Sequence, residues 1–456
     1  MFFNKKEVCV LKCLIIAAGK GKRIRKISDS KPLTKIYGLP LIERVILTAR
    51  RVGVDEFVVV TGYNGKKVRK YLDKIKKKRG VKITHVINEE WDKENGLSVL
   101  KAREYLEDKF LLLMGDHLYE EDILRSLMAQ DIKEGEVILA ADFKIHEKHF
   151  IDIDDATKVL VEDGYIKDIS KKLKDYNAFD TGAFLCTASI FDALEQSREE
   201  NDDMRLSSGI KVLAEKKKAR VIDIGESFWI DVDTVEAYEK AKEFLLHKIE
   251  KKSDGPVSRY LNRPVSKKLT KVLASTTITP NVVSFLSFLI SLGGAALFFL
   301  RGYVPLLLGG ILAQFSSIMD GCDGEIARLK YLETDFGAWF DAVLDRYADG
   351  FLLAGLTWHA YIQNFALWKL FIGLLALIGS FVNSYTADKY DSYMKRKSEG
   401  HYLRIGRDIR IFIIFLGALF NIPIVVLVIL ALMMNLENIR RIWMLWNVSK
   451  EELKRR

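Results

Sequence analysis

At 456 residues the chain has room for two or three domains, and its net charge of +10, from 71 Lys and Arg against 61 Asp and Glu, calls for an anionic partner or surface. The mean hydropathy of +0.04 averages two unlike halves: residues 1 to about 250 are charged and mixed, and those from about 280 onward hold long apolar runs. The four cysteines, Cys9, Cys13, Cys186 and Cys322, form no C-x-x-C and no paired framework, which fits a reducing compartment or simple core packing, and no aromatic-interleaved basic strip points to nucleic acid.

The first element is a strand over 14–18 that runs into Gly19-Lys20-Gly21-Lys22-Arg23, followed by Lys31-Pro32-Leu33. That apolar stretch is too short for a secretory signal and lacks a cleavage site. Glycines let backbone N–H groups approach a triphosphate, and Arg23 and Lys31 can neutralise its charge. Strands at 56–60, 82–87, 110–114, 137–141 and 220–224 alternate with helical segments, which predicts an α/β domain with a largely parallel sheet. Asp116 ends one strand at the carboxyl edge where such sheets bind ligands, and Asp231 and Asp233 offer a second acidic pair. Taken singly, these residues also read as turn glycines, solvated charge and, for Asp180, a turn former. His117 reads as a strand-end polar residue, because no second His or Cys stands at ligand spacing. The basic runs at 74–78 and 216–218 read as solvated helix faces.

Residues 256–276 mix Tyr260, Leu261, Val265, Leu269, Val272 and Leu273 with Arg259, Arg263, Lys267, Lys268 and Lys271. That pattern suits a helix lying in a membrane interface, with an ordinary linker helix as the alternative. Thr279-Pro280-Asn281 then opens six apolar segments, at 280–300, 304–319, 338–357, 366–387, 409–421 and 423–436, read as six membrane helices. Basic residues collect before the first, after the fourth (Lys395, Arg396, Lys397, Arg404, Arg407, Arg410) and at the C-terminus, which predicts cytoplasmic termini. Their charge suits anionic lipid headgroups.

Between the second and third segments stands Asp320-Gly321-Cys322-Asp323-Gly324-Glu325-Ile326-Ala327-Arg328, then Gly337, Asp341 and Asp345 at four-residue spacing. Asp320, Asp323 and Ala327 share one helix face, and Gly337, Asp341 and Asp345 share another, so two facing helices would converge four carboxylates. Left unpaired in apolar surroundings these would repel, and a pair of hard divalent cations is the natural partner. Mg2+, or Mn2+, accepts carboxylate and phosphate oxygens together. Small residues at 324, 327 and 337 permit close approach, and Arg328 offers a planar fork to phosphate. Asp349 continues the row and is expected to pair with Arg346.

The pattern D-x-x-D-G-x-x-A-R with G-x-x-x-D-x-x-x-D, matched at every fixed position, resembles the signature of the CDP-alcohol phosphotransferases. The resemblance implies that Asp320, Asp323 and Asp341 bind two metals, and that Gly324, Ala327, Arg328, Gly337 and Asn281 lie along the nucleotide. It makes Asp345 the base that activates an acceptor hydroxyl, beside the same metals. Residues 10–245 resemble the sugar-phosphate nucleotidyltransferases and, through Asn88-Glu89-Glu90-Trp91, Glu94-Asn95-Gly96-Leu97-Ser98 and Leu112-Leu113-Met114-Gly115-Asp116-His117, the inositol-1-phosphate cytidylyltransferases. By that resemblance Gly19, Gly21 and Arg23 hold a triphosphate, Lys31 assists at the reacting phosphate, and Gly96 and Ser98 lie near the base. Asp116 binds Mg2+ with Asp231 or Asp233, and Asp180 contacts the sugar. Lys22 departs from the Ser or Thr many relatives have there.

The expected architecture is therefore an α/β nucleotidyltransferase over 1–250, with a Rossmann-like mixed sheet, an interfacial linker over 251–278, and an all-α membrane domain with six transmembrane helices over 279–456. A cytidylyltransferase makes a CDP-alcohol and a CDP-alcohol phosphotransferase consumes one. Fusions of this kind convert CTP and inositol 1-phosphate to CDP-inositol, then join it to a second inositol 1-phosphate, making di-myo-inositol phosphate phosphate, and they imply a thermophilic source. Such an acceptor needs a cationic pocket, for which Lys397, Arg404, Arg407 and Arg410 are candidates unless they are topogenic charges only. The alternative is a phospholipid synthase using a CDP-lipid donor beside an inactive or unrelated nucleotidyltransferase. Small residues such as Gly309-Gly310 suggest a homodimer through the membrane domain.

Overall fold

The computed structural model describes residues 11–145, 153, 155–249, 255–394 and 406–455. Two compact units divide it, Met1–Leu245 and Leu246–Arg456. The strands of the first are β1 (Lys12–Ala17), β2 (Lys35–Ile36), β3 (Leu39–Pro40), β4 (Glu56–Thr61), β5 (Lys82–Ile87), β6 (Phe110–Met114), β7 (His117–Tyr119), β8 (Val137–Asp142), β9 (Lys158–Glu162), β10 (Tyr165–Ser170), β11 (Ala178–Cys186), β12 (Ala219–Asp223) and β13 (Trp229–Asp231). Nine form one sheet in the order β5-β4-β1-β6-β11-β8-β12-β10-β9. β5, β4, β1 and β6 are parallel, as are β8 and β12, but β11 runs antiparallel to both β6 and β8. The sheet is thus mixed, as the expected Rossmann-like architecture has it, though with more antiparallel pairing than the alternation of strands and helices predicts.

Its central strands are apolar on both faces because helices cover both. Cys13, Ile15 and Ala17 pack with α1 (Leu41–Arg51), α2 (Gly65–Arg79) and α4 (Glu121–Met128). Leu14 and Ile16 pack with α3 (Asn95–Leu100), α5 (Ser189–Asn201) and α6 (Leu206–Glu215) on the other side. α7 (Val235–Lys248) follows β13. The edge hairpin β9–β10 turns through Asp163 and Gly164, both at positive φ, the conformation a two-residue Asp-Gly hairpin requires.

The second unit contains α8 (Arg263–Ala274), α9 (Pro280–Phe298), α10 (Tyr303–Lys330), α11 (Asp335–Asn364), α12 (Leu367–Met394), α13 (Arg407–Leu419) and α14 (Pro423–Arg455). All six apolar segments are helical, yet among the described residues only α9, α10, α12 and α14 contain stretches long and apolar enough to cross a membrane. On that criterion four of the six expected spans are met. α11 is interrupted by Asp341, Asp345, Arg346 and Asp349, and α13 has 13 residues, about 20 Å, short of the roughly 30 Å of a hydrocarbon core.

Gly309 and Gly310 are not an exposed dimer face. A Cβ on Gly309 would lie 2.6 Å from the Phe298 ring and 2.8 Å from the Gly294 carbonyl oxygen, and Gly310 abuts Ala418. These glycines let α9, α10 and α13 approach within one chain. In α8 and the turn 258–262 before it, the polar residues Asn262, Ser266 and Thr270 and the guanidinium of Arg263 are buried against the bundle, while Tyr260, Leu261, Val265 and Val272 are exposed.

Candidate active sites

The first site lies at the carboxyl ends of the parallel strands, in a cavity of about 300 Å³ lined by Gly19, Lys31, Asp116, His117, Asp180, Asp231 and Asp233 among others. β6 ends just before Asp116, and β13 pairs with β7 so that Asp231 stands opposite His117. Lys31 Nζ bridges Asp116 Oδ2 at 2.7 Å and Asp231 Oδ1 at 2.8 Å. Gly21 permits this: at φ 58°, a Cβ there would lie 2.6 Å from Lys31 Cβ. Arg23 is ion-paired with Asp155 and Asp233. His117 Nδ1 lies 2.8 Å from Asp116 Oδ1, so it joins the carboxylates rather than merely ending a strand, and Asp116, His117 and Asp231 bring their ligand atoms within 4.8 Å of one another.

Burial opposes charge on Lys31, but Asp116, Asp231 and Asp233 outweigh it and hold the ammonium protonated above its usual range. Burial likewise opposes ionisation of Asp116, and Lys31 and His117 hold it well below the usual carboxylate range. Asp180 has only the weaker pull of His117. Burial pushes it up to about 6 against the Gly182 N–H that it accepts at 2.7 Å. Burial and the Asp231 charge push Asp233 to about 6 against Lys31 and Arg23. Gly96 and Ser98, expected near the base, do not line the cavity: Gly96 packs against Leu194 and the backbone of Arg205, and Ser98 Oγ accepts from Asn88 Nδ2 at 3.0 Å. Their neighbour Asn95 lines it instead.

The second site is a cavity of about 200 Å³ lined by Asp320, Asp323, Asp341, Asp345, Gly324, Arg328 and Arg407, with Asn262, Arg263 and Asp408 at its margin. α10 supplies the first two aspartates and α11 the next two. Thr334 caps α11 by accepting from the Gly337 N–H at 3.0 Å, and a Cβ on Gly337 would press on Thr334 Oγ1 and on Asn281 Oδ1 at 3.2 Å. Asp320, Asp341 and Asp345 bring carboxylate oxygens within 4.8 Å of one another. Asp323 faces the same cavity, where the Ser284 hydroxyl and the Gly324 N–H donate to its carboxylate. The metal grouping implied by the sequence, with Asp323, is thus met here by one with Asp345.

Arg407 Nη1 lies 2.8 Å from Asp345 Oδ1 and 3.2 Å from Asp320 Oδ2, and its Nε lies 3.0 Å from Asp349 Oδ1. Arg410 is buried, bonded to Asp349 Oδ2 at 2.8 Å and to Ser380 O and Ser384 Oγ. Asp349 therefore pairs with these two arginines from α13 rather than with Arg346 as expected, and Arg410 does not line the cavity. Arg328 donates to Ile249 O at 2.9 Å, and Ala327 is buried in α10. Lys397 and Arg404 lie outside the described residues. Sequence reasoning missed Ser284 and Asp155 and gave Asp349 a different partner; Ser284 had a signal, a polar residue facing inward on an otherwise apolar helix.

A nucleotidyltransferase unit and a helical unit with a carboxylate-lined cavity define a two-part transferase. The model of the MobA-like NTP transferase domain matches residues 13–212, and that of the CDP-alcohol phosphatidyltransferases matches residues 277–450. A relative from Aquifex aeolicus, called bifunctional IPC transferase and DIPP synthase, is 35% identical over 446 residues, spanning 95% of this chain and 97% of its own. The archaetidylinositol phosphate synthase of Pyrococcus horikoshii is 31% identical over 180 residues, 39% of this chain and 84% of its own. The solved inositol-1-phosphate CTP transferase from T. maritima is 28% identical, with a TM-score of 0.45 over 51% of this chain and 96% of that one. The chain belongs to the family of bifunctional IPC transferases and DIPP synthases.

Proposed function

We propose that the chain makes di-myo-inositol phosphate phosphate in two steps, one at each site. The observation that carries this reading is the coexistence of two separately built anion-handling sites in a chain that matches a bifunctional synthase end to end. In the first step a phosphate oxygen of inositol 1-phosphate attacks the α-phosphorus of CTP; the bond to the bridging oxygen breaks, leaving CDP-inositol and pyrophosphate. Gly19 and Gly21 leave room for the triphosphate, and Lys31 and Arg23 face its charge. Asp180 accepts from an inositol hydroxyl. In the second step a hydroxyl of another inositol 1-phosphate loses its proton to Asp345 and attacks the β-phosphorus of CDP-inositol, and CMP leaves. Asn281, Gly324 and Gly337 line the approach of the nucleotide, and Arg407 faces the acceptor phosphate.

The donor chemistry fits hard divalent cations. Asp320, Asp341 and Asp345 offer oxygen ligands only, and Asp323 and Asp341 stand close enough to share a hydrogen bond, which two carboxylates sustain only with a proton or a cation between them. Mg2+ or Mn2+ held there, and by Asp116 with Asp231 or Asp233, would offset charge on the phosphoryl groups. Residues 1–250 form the soluble domain and 251–278 the linker. The unit from 279 onward sits in the membrane with both termini cytoplasmic and α8 in the interface, its exposed Val265 and Val272 toward lipid together with Tyr260 just before it. A homodimer would use the exposed apolar faces of the long helices.

The similarity to an archaetidylinositol phosphate synthase favours a second reading, in which the membrane unit takes a CDP-lipid. CMP release separates the two. With inositol 1-phosphate as acceptor, CDP-inositol should yield CMP and a CDP-lipid should not; the reverse result would replace the first reading by the second.

A further inference from the structure

On the side of α10 away from the aspartates, the carboxyl side chain of Glu325 is 0% exposed. At 100° per residue it lies about 170° around the helix from the midpoint of Asp320 and Asp323, so it takes no part in the cavity. Three residues converge on it from α8, at the three- and four-residue spacings that align one helix face. Arg263 Nη1 donates to Oε1 at 2.5 Å, Ser266 Oγ to Oε1 at 2.7 Å and Thr270 Oγ1 to Oε2 at 2.6 Å.

α8 and the residues flanking it are stitched to α10 along their length. Gln314 bonds Asn262 at 2.8 Å, Arg263 reaches Gly321 O at 3.3 Å, Cys322 Sγ lies 3.5 Å from Ser266 O, and Lys330 donates to Thr276 O at 2.7 Å. A buried carboxylate is costly unless paired and hydrogen-bonded, and apolar residues would join two helices more cheaply. What this arrangement adds is register: the bonds form at one rotation and one height of α10 against α8.

We propose that Glu325 is a positioning residue for phosphotransfer. Clamped by Arg263, Ser266 and Thr270, it makes α8 a brace that fixes the rotation of α10, and so holds Asp320 and Asp323 at their distance from Asp341 and Asp345. This rests on the reading of the aspartate cavity as the phosphotransfer site. A rotation of 20° about the axis would displace a carboxylate some 6 Å from it by about 2 Å, more than a catalytic constellation tolerates.

The full-length protein in detergent tests this with two readouts. N-ethylmaleimide labelling of Cys322, followed by peptide mass mapping, reports whether α8 still covers α10, since Cys322 is fully buried beneath it. CMP release titrated with Mg2+ reports carboxylate placement, because loss of folded protein lowers the maximum without moving the half-saturating concentration. Glu325→Ala should speed Cys322 labelling at least tenfold and raise the half-saturating Mg2+ concentration at least fivefold, with cytidylyl transfer unchanged. A half-saturating concentration within twofold of the parent protein overturns the proposal, whether or not Cys322 becomes reactive. Should Glu325→Ala not elute as a folded species, Thr270→Val decides: a twofold or greater rise supports the brace and an unchanged value refutes it. If the parent protein releases no CMP from CDP-inositol, it is the proposed substrate that fails, and the same titrations are run with a CDP-lipid.

Discussion

Lys31 is placed where an ammonium is most useful and most constrained, 2.7 and 2.8 Å from two carboxylates that would otherwise repel each other. Lys31→Met should lower cytidylyl transfer at least a hundredfold and lower the melting temperature of the nucleotidyltransferase unit, with added Mg2+ restoring stability but not activity. Calorimetry and pyrophosphate release read the two effects. Asp180 gives a pH prediction. Its folded value of about 6 lies above the usual 3.8, so between pH 4 and 6 the native state binds more protons and stability falls as pH rises. Asp180→Asn keeps an acceptor for the Gly182 N–H and removes that penalty. Its melting temperature should match the parent near pH 4 and exceed it by several degrees at pH 8; equal shifts at both would refute the assignment. The glycine loop, Lys31, Asp116 and the late aspartates were legible because their spacing carries chemistry. Asp155 was not, since no motif contains it, and His117 was discounted for lack of His or Cys partners when its partners are carboxylates.

At the scale of elements, α11 depends on how it begins. Thr334 accepts from the N–H of Gly337, ordering the turn just before Asp341. Thr334→Ala should destabilise the membrane unit by about 1 kcal/mol and Thr334→Ser should restore most of it, as detergent-phase thermal denaturation would show. If Ala and Ser behave alike, the cap is not what orders that turn. The existence of all six hydrophobic helices could be read from the apolar runs, but not their kinds. Charges on one face turn α11 into the wall of a polar cavity, and α13 has only 13 residues, so neither meets the length and apolarity that the other four do. β11 was missed because antiparallel pairing in a sheet buried on both sides leaves no distinct pattern. The Asp163-Gly164 hairpin did carry its signal, a paired turn dipeptide between two strands.

The whole molecule joins a site that can make a CDP-alcohol to a site that can consume one, and its family membership spans both. Each half should therefore fail alone. Phosphorus NMR of the full-length protein in detergent with Mg2+, CTP and inositol 1-phosphate follows every species at once and tests this most directly. The account predicts conversion to a phosphodiester with CMP and pyrophosphate, arrest at CDP-inositol in Asp345→Asn, and no CDP-inositol in Asp116→Ala. Persistence of CDP-inositol in the parent protein, with a CDP-lipid consumed in its place, would contradict it.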